Sequence, residues 1–147
     1  MNNRAKIILN FWFVESTSEE KFSRNEKFDK KIKDLFYDDY QNAIINKYDY
    51  WQENPEECLA LIILLDQFSR NLFRNNPKAF AMDHKAKKIA DNAINKEFHK
   101  LLNVNQILFL FLPLMHSENL KDQLKCINLI DEYLKDSPKY NEIIKFA

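Results

Sequence analysis

A chain of 147 residues with 22 basic and 22 acidic side chains carries zero formal net charge, so no global field draws it to nucleic acid or anionic lipid. It holds no glycine at all, where an average protein carries about one in fourteen. That excludes the usual glycine-built phosphate loops and nucleophile elbow, and it takes away the best residue for tight hairpins, which disfavours a sheet-rich fold.

In chain order, the first predicted helix runs roughly from Arg4 to Val14 and carries Phe11, Trp12 and Phe13. Its apolar part, Ile7 to Val14, is short, is broken by Asn10 and lacks a small-residue cleavage site, so it reads as a buried helix and not a signal peptide. A polar link, Glu15–Asn25, follows. Phe28, Ile32, Leu35, Phe36, Ala43 and Ile44 fall at helical spacings and define a second helix ending near Asn46. Asn54-Pro55-Glu56-Glu57 is a strong start signal, with an asparagine cap, a first-turn proline and a glutamate three residues after the cap. The third helix therefore spans about Pro55–Arg74 and stops at Asn75-Asn76-Pro77. A short turn with Ala79 and Phe80 leads to Asp83 as a cap, after which Ala86, Ile89, Ala90, Ala93 and Ile94 keep helical spacing. Val104–Met115 is a buried helix ending or kinking at Pro113. A long helix spans about Ser117–Leu134 with Leu120, Leu124, Ile127 and Leu134 inward. Ser137-Pro138 opens a terminal helical piece reaching Phe146.

No strand is predicted, and asparagine is expected to take over the turns. Helices joined by short polar links form an all-α domain over residues 1–147, with antiparallel helix hairpins in a bundle or a solenoid. Cys58 and Cys126 lie in apolar helical patterns and read as reduced core residues. With no apolar stretch long enough to span a membrane, the expected location is cytoplasmic.

The chemistry concentrates in Leu59–Arg74, LALIILLDQFSRNLFR. An apolar run ends at Asp66, and Asp66, Gln67, Arg70, Asn71 and Arg74 then fall within about 140° at α-helical pitch. The chain has 18 lysines but only four arginines, two of them one turn apart on this stripe. A lysine supplies charge there but not a planar fork that grips a carboxylate or phosphate at two points. Two readings stay open: Arg70 and Arg74 hold an anion, or Arg70 simply pairs with Asp66 four residues earlier.

His116-Ser117-Glu118 forms a second constellation beyond Pro113. His116 has the chemistry of an acid, a base or a metal ligand. The plainer assignment makes Ser117 a helix cap and Glu118 a dipole partner. His84, His99 and His116 show no metal-ligand spacing, so no metal or cofactor is expected. His84 and His99, among Lys85, Lys87, Lys88 and Lys100, read as a solvated face with no nucleic-acid signature.

LALIILLDQFSRNLFR, Ala79-Phe80, Asp83 and LPLMHSENLKDQ at Leu112–Gln123, with Phe11-Trp12-Phe13, Phe28-Asp29 and Trp51, together resemble the bacterial family known as domain of unknown function 924. The resemblance covers nearly the whole chain. It implies an all-α, tetratricopeptide-like fold and carries no established reaction. By the match, the family's signature polar residues fall on Asp66, Gln67, Arg70, Asn71, Arg74, Asp83, His116, Glu118 and Gln123. Two departures stand out. Lys21 occupies a position where family members usually carry tryptophan, and the chain ends about where the family continues into an arginine- and histidine-rich segment.

The leading functional expectation is a non-enzymatic helical binding module. A small anion or peptide carboxylate would meet Arg70 and Arg74, with Gln67, Asn71, Asp83 and Gln123 completing the site. The competing expectation is a hydrolase or isomerase using Asp66 or Glu118 with His116 as acid and base, which requires the two constellations to converge. A third treats both as polar networks that fix helix register. No nucleic acid or membrane partner is expected.

Overall fold

The computed structural model describes residues 1–137, and among these the chain is helical with no strand. Helix α1 (Asn3–Asn10) starts where Asn2 accepts hydrogen bonds from the Arg4 and Ala5 amides, and it continues as a π-helical turn, Phe11–Glu15. The polar link is not structureless. Thr17 and Glu20 form a capping box that starts a short helix, α2 (Ser18–Phe22). Asn25 then caps α3 (Glu26–Ile44).

The Asn54-Pro55 start signal acts as read: the Asn54 side chain accepts from the Glu56 and Glu57 amides, and α4 (Pro55–Ile62) follows. The expected helix towards Arg74 runs as one rod to Leu72, but it is not regularly α-helical. Residues Ile63–Phe68 form a π-helical stretch before α5 (Ser69–Leu72), so one turn holds an extra residue. Helix α6 (Asp83–Asn95) has Met82, not Asp83, as its cap, because the Asp83 carboxylate is turned toward Arg70. Helix α7 (Val104–Met115) opens with an Asn103/Gln106 capping box and passes through Pro113 to end two residues later.

The last described helix, α8 (Leu120–Leu134), begins after an Asn119 cap rather than at Ser117. Its buried stripe is Cys126, Ile130 and Leu134, while Leu120, Leu124 and Ile127, expected inward, are exposed. The face that meets α7 decides this, and two apolar stripes compete for it in the sequence. The expected terminal piece from Pro138 to Phe146 lies outside the described residues.

The rod made by α4, the π stretch and α5 is the core. Leu59 through Asp66 are almost without solvent exposure, and α1, α3, α6 and α7 all pack on some part of the rod. Phe68 ties the π stretch to its neighbours, stacked on Phe36 at 5.0 Å and edge-on to Phe11 at 6.0 Å and Trp12 at 5.7 Å. Aromatic contacts of this kind add about 0.5–1.5 kcal/mol each beyond burial. Phe11 and Trp12 belong to the other π turn, so the two irregular segments pack against each other.

Asn46 and Asn75 take positive φ of 70° and 65°, the turn role expected of asparagine, and Glu97 does so too at 62°. Cys58 and Cys126 are free and buried, and burial pushes both thiols up to about 12. Among the described residues no helix is long and apolar enough to cross a membrane.

Candidate functional site

Asp66 lies in the π stretch, fully shielded from solvent, with its partners supplied from three directions. One carboxylate oxygen, Oδ1, accepts from Arg70 Nη1 at 3.1 Å and from His116 Nδ1 at 2.7 Å. The other, Oδ2, accepts from Gln67 Nε2 at 3.1 Å. An ionised carboxylate only accepts, so the imidazole proton sits on Nδ1. A buried charge without such donors would cost several kcal/mol. Irregular π turns recur at functional sites because they turn a side chain out of the regular helical register.

Arg70 reaches beyond Asp66. Its guanidinium grips Asp83 with two parallel bonds, Nη1 to Oδ1 at 2.9 Å and Nη2 to Oδ2 at 3.0 Å, and Nη1 also donates to the Asp66 carbonyl at 2.9 Å. One turn on, Arg74 grips Asp29 of α3 through Nε at 2.6 Å and Nη2 at 3.0 Å, and Asn71 Nδ2 donates to the same carboxylate at 2.8 Å. The Asp29 hydrogen bond, helped by the carboxylate's charge, raises the Arg74 pKa against the opposing effect of burial. Both forks are therefore closed at their inner edges by aspartates. The site contains three carboxylates, Asp29, Asp66 and Asp83, facing Arg70, Arg74 and His116.

The second constellation meets the first through His116 only. Ser117 does not cap α8; its hydroxyl donates to Asp122 Oδ2 at 2.6 Å and accepts from the Asn119 amide at 3.1 Å. Gln123 Nε2 donates to the Ser117 carbonyl at 2.7 Å, holding the loop that carries His116. Glu118 is exposed and bonds to none of the aspartates, arginines or imidazole of the site among the described residues. Of the two histidines read as a solvated face, His84 is exposed but His99 is buried, edge-on to Tyr133 at 4.9 Å and near Phe111 at 5.9 Å. Three of the lysines there are partnered: Lys85 with Asp49, Lys87 with Asp91 and Asp122, and Lys100 with Glu97. Among the described residues no three His, Cys, Asp or Glu side chains form a set able to hold a metal ion.

A cleft of about 670 Å³ opens beside the arginines, lined by Arg70, Arg74, Asn75, Asn76, Pro77, Ala79 and Phe80. His116 is not among its lining residues, and Asp66 stands between the imidazole and Arg70. Among the described residues Arg74 Nη1 has no hydrogen-bond partner, and neither has Arg70 Nε. Each guanidinium thus keeps an N–H group without a partner among the described residues while the rest of it is locked. Sequence reasoning missed three contributors. Asp29 sits more than forty residues from its partners, marked only as part of Phe28-Asp29 in the family resemblance. Asn75 and Phe80 looked like turn residues.

No curated protein matches the chain. Among solved structures it is similar to a protein of unknown function, ATU0120, from Agrobacterium tumefaciens. The two share 30% sequence identity and a TM-score of 0.84, over 97% of this chain and 82% of that one. Residues 8–147 match the family described as bacterial protein of unknown function (DUF924), and with that span matched, on an all-α fold shared with the Agrobacterium protein, the chain belongs to this family.

Proposed function

We propose that the chain is a helical binding module whose arginine cleft, beside the Asp66–His116 network, receives a small anion or the carboxylate of a peptide. The observation that carries this reading is the pair of guanidiniums lining one cleft, each fixed by an aspartate, Asp83 for Arg70 and Asp29 for Arg74. Donors already held in place lose little conformational freedom on binding, which favours recognition by directional hydrogen bonds. The aspartates offset the positive charge, so affinity comes from geometry rather than from a strong field, and a free carboxylate binds weakly. Titrating acetate into the protein and into Arg74→Lys, with folding checked by circular dichroism, tests the reading. Loss of the planar fork weakens binding about tenfold, the equivalent of 1.4 kcal/mol. Equal affinity in a folded Arg74→Lys variant contradicts it.

A second reading is favoured by the bond of 2.7 Å between His116 and Asp66. A buried aspartate holding Nδ1–H leaves Nε2 as a base, the arrangement used in acid–base catalysis. Asp66 is then a positioning residue, since it reaches no solvent, and Glu118 plays no part. This reading needs a substrate surface at His116 separate from the arginine cleft. A third, purely architectural reading draws on the same closed ion pairs, and it predicts no carboxylate binding at all.

A further inference from the structure

Phe80 is 59% exposed, yet it is not a stray surface residue. It ends the short 3₁₀ turn Pro77–Phe80, which Asn76 caps through the Lys78 amide at 2.9 Å. The Arg70 guanidinium carbon lies 5.2 Å from the Phe80 ring centroid. Because Arg70 is locked onto Asp66 and Asp83, the ring is seated on a fixed cationic surface. The fold gains little from burying this side chain, since most of it remains in water. What it adds is an aromatic wall to a cleft whose remaining apolar lining is Pro77 and Ala79.

The rest of the lining is polar. Arg74, whose Nη1 has no hydrogen-bond partner among the described residues, lines the same space with Asn75, held at a positive φ of 65°, and Asn76. An aromatic surface beside a fixed guanidinium and two amides is the donor set for a flat ring carrying an acidic group a short distance away. The ring stacks on Phe80 while the acid meets Arg74. Ligand pockets combine these elements, apolar surface for affinity and a few placed polar groups for orientation.

We infer that the cleft is specific for an aromatic ring bearing a nearby carboxylate, with Phe80 as the residue that sets the preference for the ring. This rests on the carboxylate-binding reading and narrows its ligand class. Two sources share that chemistry, a free aromatic acid and the C-terminal aromatic residue of a peptide.

Affinities of acetate, phenylacetate and cyclohexylacetate, measured for the protein and for Phe80→Leu by NMR titration, test the inference. Phenylacetate is expected to bind tighter than cyclohexylacetate by about two- to tenfold, the value of an aromatic contact beyond its area. In Phe80→Leu the preference for phenylacetate over cyclohexylacetate disappears. A tripeptide ending in phenylalanine, with a free or an amidated terminus, separates the two sources. Tighter binding of the free-terminus peptide than of phenylacetate assigns a peptide end, and the reverse order assigns a free acid. Equal affinity for the two ring compounds, or a preference that survives Phe80→Leu, overturns the inference while the carboxylate reading stands. Absence of binding by all probes overturns both.

Discussion

His116 Nδ1 lies 2.7 Å from Asp66 Oδ1 although fifty residues separate them, and this contact joins the loop after α7 to the π-helical centre of the rod. The same oxygen takes a bond from Arg70, which grips Asp83 at the start of α6. One buried carboxylate therefore holds side chains of the rod and of the loop after α7, and reaches α6 through Arg70. Its position inside a π turn links local backbone irregularity to long-range packing.

Asp66→Asn keeps the shape but removes the charge that both Arg70 and His116 address. Hydrogen bonds to charged groups are worth about 1.5–3 kcal/mol, so stability is expected to fall by about 2 kcal/mol. For a domain of this size that corresponds to a melting temperature lowered by about 4–8 °C. Asp66 does not line the arginine cleft, so acetate binding per folded molecule persists. Scanning calorimetry together with the titration checks both halves, and an unchanged melting temperature would show that Asp66 does not organise the network.

Asp29 and Arg74 face each other across α3 and the end of the rod, with two hydrogen bonds between them. Asp29→Asn, Arg74→Lys and the double variant form a thermodynamic cycle read by denaturant unfolding. Contacting residues in one network couple by about 0.5–3 kcal/mol, and the bidentate geometry places this pair in the upper half of that range. Additive effects would mean that the fork contributes no more than two independent surface charges.

His99 gives the stability a pH dependence. Burial, chiefly, with help from Lys100, lowers its pKa below the ordinary imidazole value, while Glu97 and Glu132 pull weakly the other way. Above that ordinary value His99 is neutral in both folded and unfolded chains and costs nothing. As pH falls through about 6.5 the unfolded chain takes up the proton first, so stability drops until the folded-state pKa is passed. His99→Phe keeps a ring against Tyr133 and Phe111 and removes the titration. The melting temperature of the native protein should therefore fall more steeply with acid than that of the variant, and parallel curves would count against a buried neutral His99.

Local signals were the legible ones. The Asn54-Pro55 cap, the apolar run from Leu59 to Leu65 and the Asp66–Arg70 spacing each depend on neighbours within a turn, and each is found in the fold. The π stretch was not legible, because a helix with i to i+5 bonds uses the same residue types as one with i to i+4 bonds. On α8, exposed Leu120, Leu124 and Ile127 compete with buried Cys126, Ile130 and Leu134, and only the position of α7 chooses between them. The burial of His99 among lysines, and the reach of Asp29 to Arg74, depend equally on contacts remote in sequence. Within the candidate site, the arginines stood out by their rarity and Asp66 by its place at the end of the apolar run, Asp83 came with the family resemblance, and Asp29, which locks Arg74, was not read as a site residue.

The most direct measurement of the central claim follows the side-chain nitrogen signals of Arg74 while phenylacetate is added to isotopically labelled protein. If the outer edge of Arg74 receives the carboxylate, its guanidinium signals shift saturably, and the Asn75 side-chain amide shifts with the same midpoint. Signals that stay fixed while phenylacetate is bound elsewhere, or that drift linearly without saturation, contradict the account.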